Sequence, residues 1–311
     1  MAKVLFLGPV GTYSHQAALQ QFPNEELIPV TSIPACFEKL ISDIDMDYGV
    51  VPLENSTNGQ VVFTYDLFRD FMQADLSPSV EVVGEQYVDI AHCLISPVPL
   101  SEEQLRKVDV IYSHPQVWGQ VKDYLSDLET KYGKTAKIDC SSTAGAVERC
   151  IAEYATDRKI TLAIGSRASA SLNKATIVEG GINDVNGNTT RFLILKRRDE
   201  SSEIGSQALP PKGDEMKVNF VTFVINQDDP GSLIDVLNVL REYKLNMCSI
   251  SSRPFHNQVQ SERKWQYCFF IEFYGNYGTD YELLAKRFDE NCAKWIHWGK
   301  FYRNALYYQI P

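Results

Sequence analysis

One stretch organises this chain: Asn186-Gly187-Asn188-Thr189-Thr190-Arg191-Phe192, which runs directly into Leu193-Ile194-Leu195. Asn and Gly tolerate the backbone angles of a tight turn, and a short apolar run bounded by charge predicts a buried strand. Thr190 and Arg191 therefore lie where a loop enters a sheet, a place where ligands collect in open α/β sheets. A guanidinium there can bind a carboxylate through two parallel hydrogen bonds, and a hydroxyl can donate to a reacting oxygen. The alternative is a solvated arginine at a simple turn.

The overall charge limits the classes of partner. The 311 residues carry a formal net charge of −10 at pH 7, so nucleic acid and anionic membranes are repelled at long range. The apolar start Val4-Leu5-Phe6-Leu7 is too short for a secretory signal, and no apolar run reaches the roughly 20 residues that span a bilayer. We therefore expect a soluble, cytoplasmic protein with no nucleic-acid or membrane partner.

The cysteines favour the same compartment. They number seven, and no two form a C-x-x-C pair, so neither a zinc site nor a disulfide framework is indicated. Reduced thiols are typical of the cytosol. The set comprises Cys36, Cys93, Cys140, Cys150, Cys248, Cys268 and Cys292.

Strand-like and helix-like segments alternate throughout residues 1–198. This pattern predicts an α/β domain, in which a parallel or mixed sheet carries helices on both faces. Polar side chains follow several of the strands, and we expect them to converge on one pocket. They are Thr12, Asn55, Ser113, Thr143 and Thr190.

A second domain follows a linker. Residues 199–215 are polar and punctuated by Pro and Gly, which indicates a connection without regular structure. Residues 216–311 then read strand, helix, strand, strand, helix, strand, the order of an α+β ferredoxin-like unit. Its first helix follows a turn at Asp228–Ser232, and a polar hairpin is expected at His256–Lys264.

Several of the polar residues have a purely structural alternative. Ser14 is as well explained as a helix N-cap, and the loop that begins at Glu54 and Asn55 can cap the helix behind it. His114, in a strand-to-helix turn, is interpreted as a structural or solvent-facing group rather than a base.

Four motifs in this order resemble the prephenate dehydratase family. They are Gly8-Pro9-Val10-Gly11-Thr12-Tyr13-Ser14, Val51-Pro52-Leu53-Glu54-Asn55-Ser56, Ser113-His114-Pro115-Gln116 and Thr190-Arg191-Phe192. The C-terminal part resembles the ACT regulatory domain. The resemblance covers nearly the whole chain. It is a resemblance to the monofunctional form of the family, which has no fused chorismate mutase domain.

The resemblance implies a fold, a reaction and a set of site residues. The fold has two lobes and is similar to that of type II periplasmic binding proteins. We expect the first lobe to comprise residues of about 1–78 and 172–198, and the second to comprise residues 79–171. The reaction converts prephenate to phenylpyruvate without a cofactor. Thr190 is implied as the residue most tied to catalysis, with Glu54 as a candidate acid if burial raises its pKa, and Arg191 is hypothesised to hold the pyruvyl carboxylate. The remaining expected substrate-binding residues are Thr12, Ser14, Asn55, Ser113, Gln120, Thr143 and Phe192.

The ACT resemblance implies regulation by L-phenylalanine. The family's Gly-Ala-Leu and Glu-Ser-Arg-Pro motifs correspond to Gly231-Ser232-Leu233 and Ser251-Ser252-Arg253-Pro254, so a serine replaces the glutamate. Pro230 precedes the first motif. ACT sheets commonly pair between subunits, which implies a homodimer or homotetramer. Two alternatives stay open: the same chemistry on arogenate, and a non-catalytic two-lobed binding protein.

Overall fold

The strand that contains Thr190 lies inside a mixed sheet of the computed structural model, which describes residues 1–74, 78–199, 201–210, 216–225, 230–255, 266–275 and 281–308. The N-terminal elements are β1 (Lys3–Leu7), α1 (Tyr13–Gln21), β2 (Glu26–Val30), α2 (Ile33–Ser42), β3 (Tyr48–Asn55), β4 (Gly59–Gln60), α3 (Val62–Gln73), β5 (Val80–Asp89), β6 (His92–Ser96), α4 (Glu102–Leu105), β7 (Val110–Ser113), α5 (Pro115–Trp118), α6 (Lys122–Tyr132), β8 (Ala136–Asp139), α7 (Thr143–Asp157), β9 (Leu162–Ser166), α8 (Arg167–Leu172), β10 (Thr176–Gly180) and β11 (Thr189–Arg197). The C-terminal elements are β12 (Lys217–Val224), α9 (Ser232–Glu242), β13 (Asn246–Phe255), β14 (Gln266–Tyr274), α10 (Tyr281–Asn291), β15 (Lys294–Tyr302) and a 3-10 helix (Ala305–Tyr308).

Two sheets form the two predicted lobes. The first has the order β2-β1-β3-β11-β5, with β4 paired to β3, and the second has the order β10-β6-β9-β7-β8. Strands β1, β2 and β3 are parallel, whereas β11 is antiparallel to both of its neighbours. The predicted α/β class with a mixed sheet is confirmed.

The lobe boundaries differ from the predicted ones. Strand β5 belongs to the first sheet, because it pairs with β11 from Asp89 opposite Thr189 to Val80 opposite Arg197. Strand β10 belongs to the second sheet, where it pairs with β6. The chain therefore crosses between the lobes at residues 90–91 and 181–188, not near Pro78 and Leu172.

The C-terminal region has the predicted ferredoxin-like topology. Its sheet has the order β13-β14-β12-β15, with antiparallel neighbours throughout. Helices α9 and α10 cover one face. The predicted turn residues Asp228 and Asp229, the predicted hairpin 256–264, and residues 200 and 211–215 of the predicted linker lie outside the described residues.

The other face of this sheet packs against the first lobe. Phe68 of α3 lies 4.7 Å from Trp298 and 5.3 Å from Phe220, measured between ring centroids. Gly299 lets β15 approach β5, since a Cβ at this position would lie 2.0 Å from the Val82 carbonyl oxygen. One apolar core is therefore shared by the first lobe and the C-terminal sheet.

Candidate active site

The carboxyl edges of the two lobe sheets face each other. In the first lobe this edge holds the end of β3, the start of β11 and the loop after β1. In the second lobe it holds the ends of the parallel strands β7, β8 and β9. Ser166 Oγ, at the end of β9, donates to the Gly11 carbonyl oxygen at 3.0 Å and joins the two edges. The predicted ligand-binding edge thus lies between the lobes.

Thr190 and Asn55 are cross-strand partners at this edge. Asn55 Nδ2 donates to Thr190 Oγ1 at 3.0 Å. Asn55 Oδ1 accepts from the backbone nitrogens of Thr57 and Asn58, which fixes the orientation of the amide. The Thr190 oxygen therefore receives a proton donor from Asn55 and keeps its own proton for another acceptor.

A chain of hydrogen bonds continues from Asn55 into the second lobe. Asn55 Nδ2 also donates to Asn188 Oδ1 at 2.7 Å, and Asn188 Nδ2 donates to Gln120 Oε1 at 2.9 Å. Gln120 Oε1 also accepts from His92 Nε2 at 2.7 Å, and His92 Nδ1 lies 3.2 Å from the Tyr13 hydroxyl. The Thr190–Asn55 pair is therefore coupled to the position of the second lobe.

His92 donates to Gln120 through its ring. An amide oxygen only accepts, so Nε2 carries a proton, whereas the Tyr13 hydroxyl beside Nδ1 donates to the Ala91 carbonyl oxygen at 3.2 Å. Burial lowers the pKa of His92, against the opposing effect of the bond to Gln120. Asn188, His92 and Tyr13 were absent from the predicted site. Asn188 and Tyr13 lie within or beside the motifs, whereas nothing in the sequence marks His92.

Glu54 and Arg191 lie on the opposite face of the sheet from Thr190. They are also directly opposite each other across β3 and β11, and successive strand residues point to opposite faces. Arg191 Nη1 donates to Glu54 Oε1 at 2.9 Å, and the other guanidinium nitrogens donate to Glu85 and Glu272. This geometry corrects two hypotheses, since Arg191 does not face the edge as a carboxylate ligand and Glu54 does not share a leaving group with Thr190.

Ser113 and Phe192 are also placed away from a ligand. Ser113 is fully buried, and its Oγ donates to the Ile164 carbonyl oxygen at 2.9 Å, which ties β7 to β9. Phe192 is 1% exposed within the core between the first sheet and α1. Both residues therefore support the site's framework, and their predicted contact with substrate is corrected.

Thr12, Ser14 and Thr143 lie at helix N-termini on the two edges. Thr12 is the N-cap of α1, because its Oγ1 accepts from the His15 nitrogen. Ser14 lies in the first turn of the same helix, so the cap suspected at Ser14 is at Thr12. Thr143 is the first residue of α7, which is capped by Ser142. Such N-termini are suited to bind anions.

A cavity of about 560 Å³ lies beside the lobe crossings. Its lining includes Asp89, Asn183, Thr189 and Leu306, but not Thr190 or Asn55. The cavity therefore adjoins the interlobe edge at Asn188 and Thr189 without reaching Thr190 or Asn55, and the hydrogen-bonded pair locates the candidate active site.

The predicted effector residues lie in two places in the C-terminal domain. Pro230 and Gly231 precede α9, Ser232 is its first residue, and Leu233 packs in the core beneath it. Ser251 Oγ accepts from Gln60 Nε2 at 2.7 Å, and Arg253 pairs with Asp66 of α3 at 2.8 Å. Pro254 accepts from Arg69 through its carbonyl oxygen, whereas Ser252 is exposed. The second motif therefore contacts the first lobe.

The described residues contain neither a metal-ion cluster nor a membrane-spanning helix. Within them, no group of three or more His, Cys, Asp or Glu side chains could hold a metal ion. In the same part of the chain, no helix combines the length and apolar character needed to cross a bilayer.

The chain is similar to several known proteins. The family model described as prephenate dehydratase matches residues 4–200. A probable prephenate dehydratase of Saccharomyces cerevisiae is 48% identical over 98% of both chains. A prephenate dehydratase of Arthrobacter aurescens, solved with L-Phe, matches with a TM-score of 0.78 at 21% identity, over 97% of this chain and 90% of that one. A protein described as a novel type of quorum-quenching acylase matches with a TM-score of 0.76 at 22% identity, over 98% and 99% of the two chains. At these identities the two solved structures establish the fold alone.

Proposed function

The chain belongs to the prephenate dehydratase family, and we propose that Thr190 and Asn55 form the centre of its active site. The enzyme is a carbon–oxygen lyase that converts prephenate to phenylpyruvate in phenylalanine biosynthesis. The observation that carries the assignment of the site is the 3.0 Å hydrogen bond from Asn55 Nδ2 to Thr190 Oγ1 at the interlobe edge.

The reaction defines what the site must supply. The electron pair of the bond to the ring carboxylate enters the ring as carbon dioxide leaves, and the bond to the ring hydroxyl breaks with its own electron pair. That oxygen needs a proton to leave as water. Because aromatisation drives the reaction, the enzyme mainly orients a dianion and assists the departing hydroxyl.

Thr190 is suited to assist this departure. The bond from Asn55 polarises its hydroxyl, so its proton is a stronger donor to the leaving oxygen. A fixed donor of this kind contributes about 3 kcal/mol to transition-state stabilisation. A threonine is too weak an acid to transfer its proton outright, so solvent supplies the net proton that completes the water molecule.

The helix N-termini on either side are the proposed anion sites. Ser14 in the first turn of α1 and Thr143 at the start of α7 belong to opposite lobes, so a dianion between them can contact both. Gln120 lies next to this edge through Asn188. An arginine at the departing carboxylate would stabilise the ground state instead, so the engagement of Arg191 on the other face is compatible with the reaction.

A direct assay tests the activity and its rivals. The purified full chain is incubated with prephenate, and phenylpyruvate is followed by its absorbance in alkali. Arogenate is assayed in parallel by quantifying phenylalanine, because its amino group is retained in the product. We expect phenylpyruvate from prephenate and a much slower reaction with arogenate. A preference for arogenate would identify arogenate as the substrate. If neither compound gave a product, the non-catalytic binding protein would be the remaining interpretation.

The C-terminal domain is proposed to be an ACT domain that binds L-phenylalanine. Gly231 adopts φ 96° at the start of α9, and no atom of the described residues lies within 4 Å of the place its Cβ would take. This supports the approach of an amino-acid carboxylate to backbone N–H groups. The rate and the thermal midpoint are measured with L-phenylalanine, and D-phenylalanine serves as the matched control ligand. L-phenylalanine alone should lower the rate and raise the thermal midpoint, and equal effects of both enantiomers would refute a specific site.

A homo-oligomer and a cytoplasmic location are part of the same proposal. Strand β13 is an edge strand, and it exposes Met247 and Ile250, which supports pairing between copies. Light scattering of the purified chain tests for a dimer or tetramer. The seven cysteines are free thiols, which supports a reducing compartment.

A further inference from the structure

Four buried charged side chains form a closed ring between the first lobe and the C-terminal domain. Arg191 contacts Glu85 at 2.7 Å and Glu272 at 2.8 Å. Arg303 contacts the same two carboxylates at 2.8 Å and 3.1 Å. Each arginine therefore bridges both glutamates, and the side chains of all four are at most 5% exposed.

Each domain supplies one half of the ring. Arg191 and Glu85 come from adjacent strands of the first sheet, whereas Glu272 and Arg303 come from β14 and the segment after β15. Each half contains one positive and one negative group, so each half of the ring is neutral by itself. Although burial opposes ionisation, the two guanidiniums lower the pKa of Glu272, which favours its charged form.

The ring acts on the strand that carries Thr190. Its Arg191 adjoins Thr190, and the register between β3 and β11 shifts immediately after Arg191. Such an irregularity changes the direction of the neighbouring side chains. The backbone conformation at this point therefore depends on the contacts that hold Arg191. Holding that guanidinium in a planar fork of carboxylates restrains the strand on one face, while the candidate catalytic hydroxyl projects from the other.

We propose that Glu272 and Arg303 are positioning residues for Thr190, acting through Arg191, so that the C-terminal domain sets the rate of the chemical step. The inference rests on the proposed role of Thr190. Neither residue touches substrate, and their effect is confined to the aim of the hydroxyl. Loss of the C-terminal half of the ring therefore lowers kcat and leaves the KM for prephenate nearly unchanged.

A charge-neutral double variant tests this proposal in the full chain. Glu272→Gln with Arg303→Gln removes the C-terminal half and leaves Arg191 paired with Glu85. The matched control is Glu242→Gln with Arg287→Gln, which removes an exposed ion pair of 3.0 Å within the same domain. We expect kcat to fall at least tenfold in the ring variant and less than twofold in the control. A folded ring variant with wild-type kcat, or one with raised KM alone, overturns the proposal.

A milder variant covers the case in which the double variant does not fold. Arg303→Lys keeps the ring neutral, but a single ammonium cannot bridge two carboxylates as a guanidinium does. It should show the same loss of kcat at unchanged KM, by about threefold or more, and unchanged kcat here also overturns the proposal.

A structural readout separates this inference from the proposed function. The NMR resonance of the Thr190 methyl group is assigned in the wild type as the one that Thr190→Ser removes. Its chemical shift is then compared between the ring and control variants. It should shift in the ring variant only, whether or not the wild type converts prephenate. Failure of the wild type to form phenylpyruvate would refute the function alone, whereas an unmoved Thr190 resonance would refute the positioning.

Discussion

Thr190 and Arg191 are neighbours in one strand, yet their side chains project from opposite faces of the first sheet. Thr190 pairs with Asn55 at the interlobe edge, and Arg191 pairs with Glu54, Glu85 and Glu272 toward the C-terminal domain. The two neighbouring residues therefore have different roles. Thr190 faces the interlobe edge, where the reaction is proposed to occur, and Arg191 joins the first lobe to the C-terminal domain.

Removing the Thr190 hydroxyl tests its role as donor. Thr190→Val keeps the volume and loses the O–H, so kcat should fall by about 10² to 10³ with a small change in KM. Thr190→Ser keeps the hydroxyl and should retain most of the activity. Steady-state kinetics on prephenate measure both, and near-normal turnover by Thr190→Val would exclude the donor role.

A substitution of Asn55 tests whether its side chain donates the hydrogen bond to Thr190. Asn55→Asp replaces the Nδ2 donor with an acceptor, so the Thr190 proton turns toward the new carboxylate and away from the substrate. We expect kcat to fall about tenfold or more, which is about 1.4 kcal/mol. Asn58→Asp adds the same charge to the exposed loop nearby and serves as the control. Equal losses in both variants would point to charge alone.

Glu54 should be dispensable for the chemical step. Its side chain is 37% exposed and lies on the face opposite Thr190. Glu54→Gln should therefore keep the rate and its pH profile, and lose at most about 1 kcal/mol of unfolding free energy. A pH profile that loses a limb in this variant would restore Glu54 as the acid.

Arg191 should matter for stability beyond an ordinary ion pair. Arg191→Met leaves the buried Glu85 and Glu272 with one guanidinium between them, and removing one partner of a buried pair costs about 3–5 kcal/mol. Arg287→Met, which removes an exposed guanidinium, should cost less than about 1 kcal/mol. Urea unfolding compares the two, and similar small losses would contradict the importance of burial.

His297 should make stability depend on pH. Burial lowers its pKa to about 3 from the ordinary 6.5, against the opposing effect of its bond to the Gly299 carbonyl oxygen. Below about pH 6.5 the unfolded chain takes up a proton that the folded chain refuses, so stability falls as the pH drops through the window from 6.5 to 3.

His297→Gln keeps a donor toward Gly299 and removes this titration. Between pH 6 and pH 4 the wild type should lose up to about 1.4 kcal/mol per pH unit more than the variant. Urea unfolding at both pH values measures the difference, and identical pH slopes would show that His297 does not titrate in this way.

Local pattern predicted much of the fold but not its long-range pairing. The alternation in residues 1–198 and the order of the C-terminal elements predicted the classes of both parts. The membership of strand β5 in the first sheet was missed, because its pairing with β11 joins residues about a hundred positions apart. The edge strand β10 was missed because it is short and only partly buried.

The sequence by itself determined that Thr190, Arg191 and Asn55 lie at strand ends, since turn residues and apolar runs are local features. Only the tertiary structure decided which face each side chain occupies. A strand's period of two separates Thr190 from Arg191, but the period does not say which face meets the other lobe. On the Arg191 face lie Glu272 and Arg303, which are 81 and 112 positions beyond Arg191 in the chain and are brought there only by the packing of two sheets.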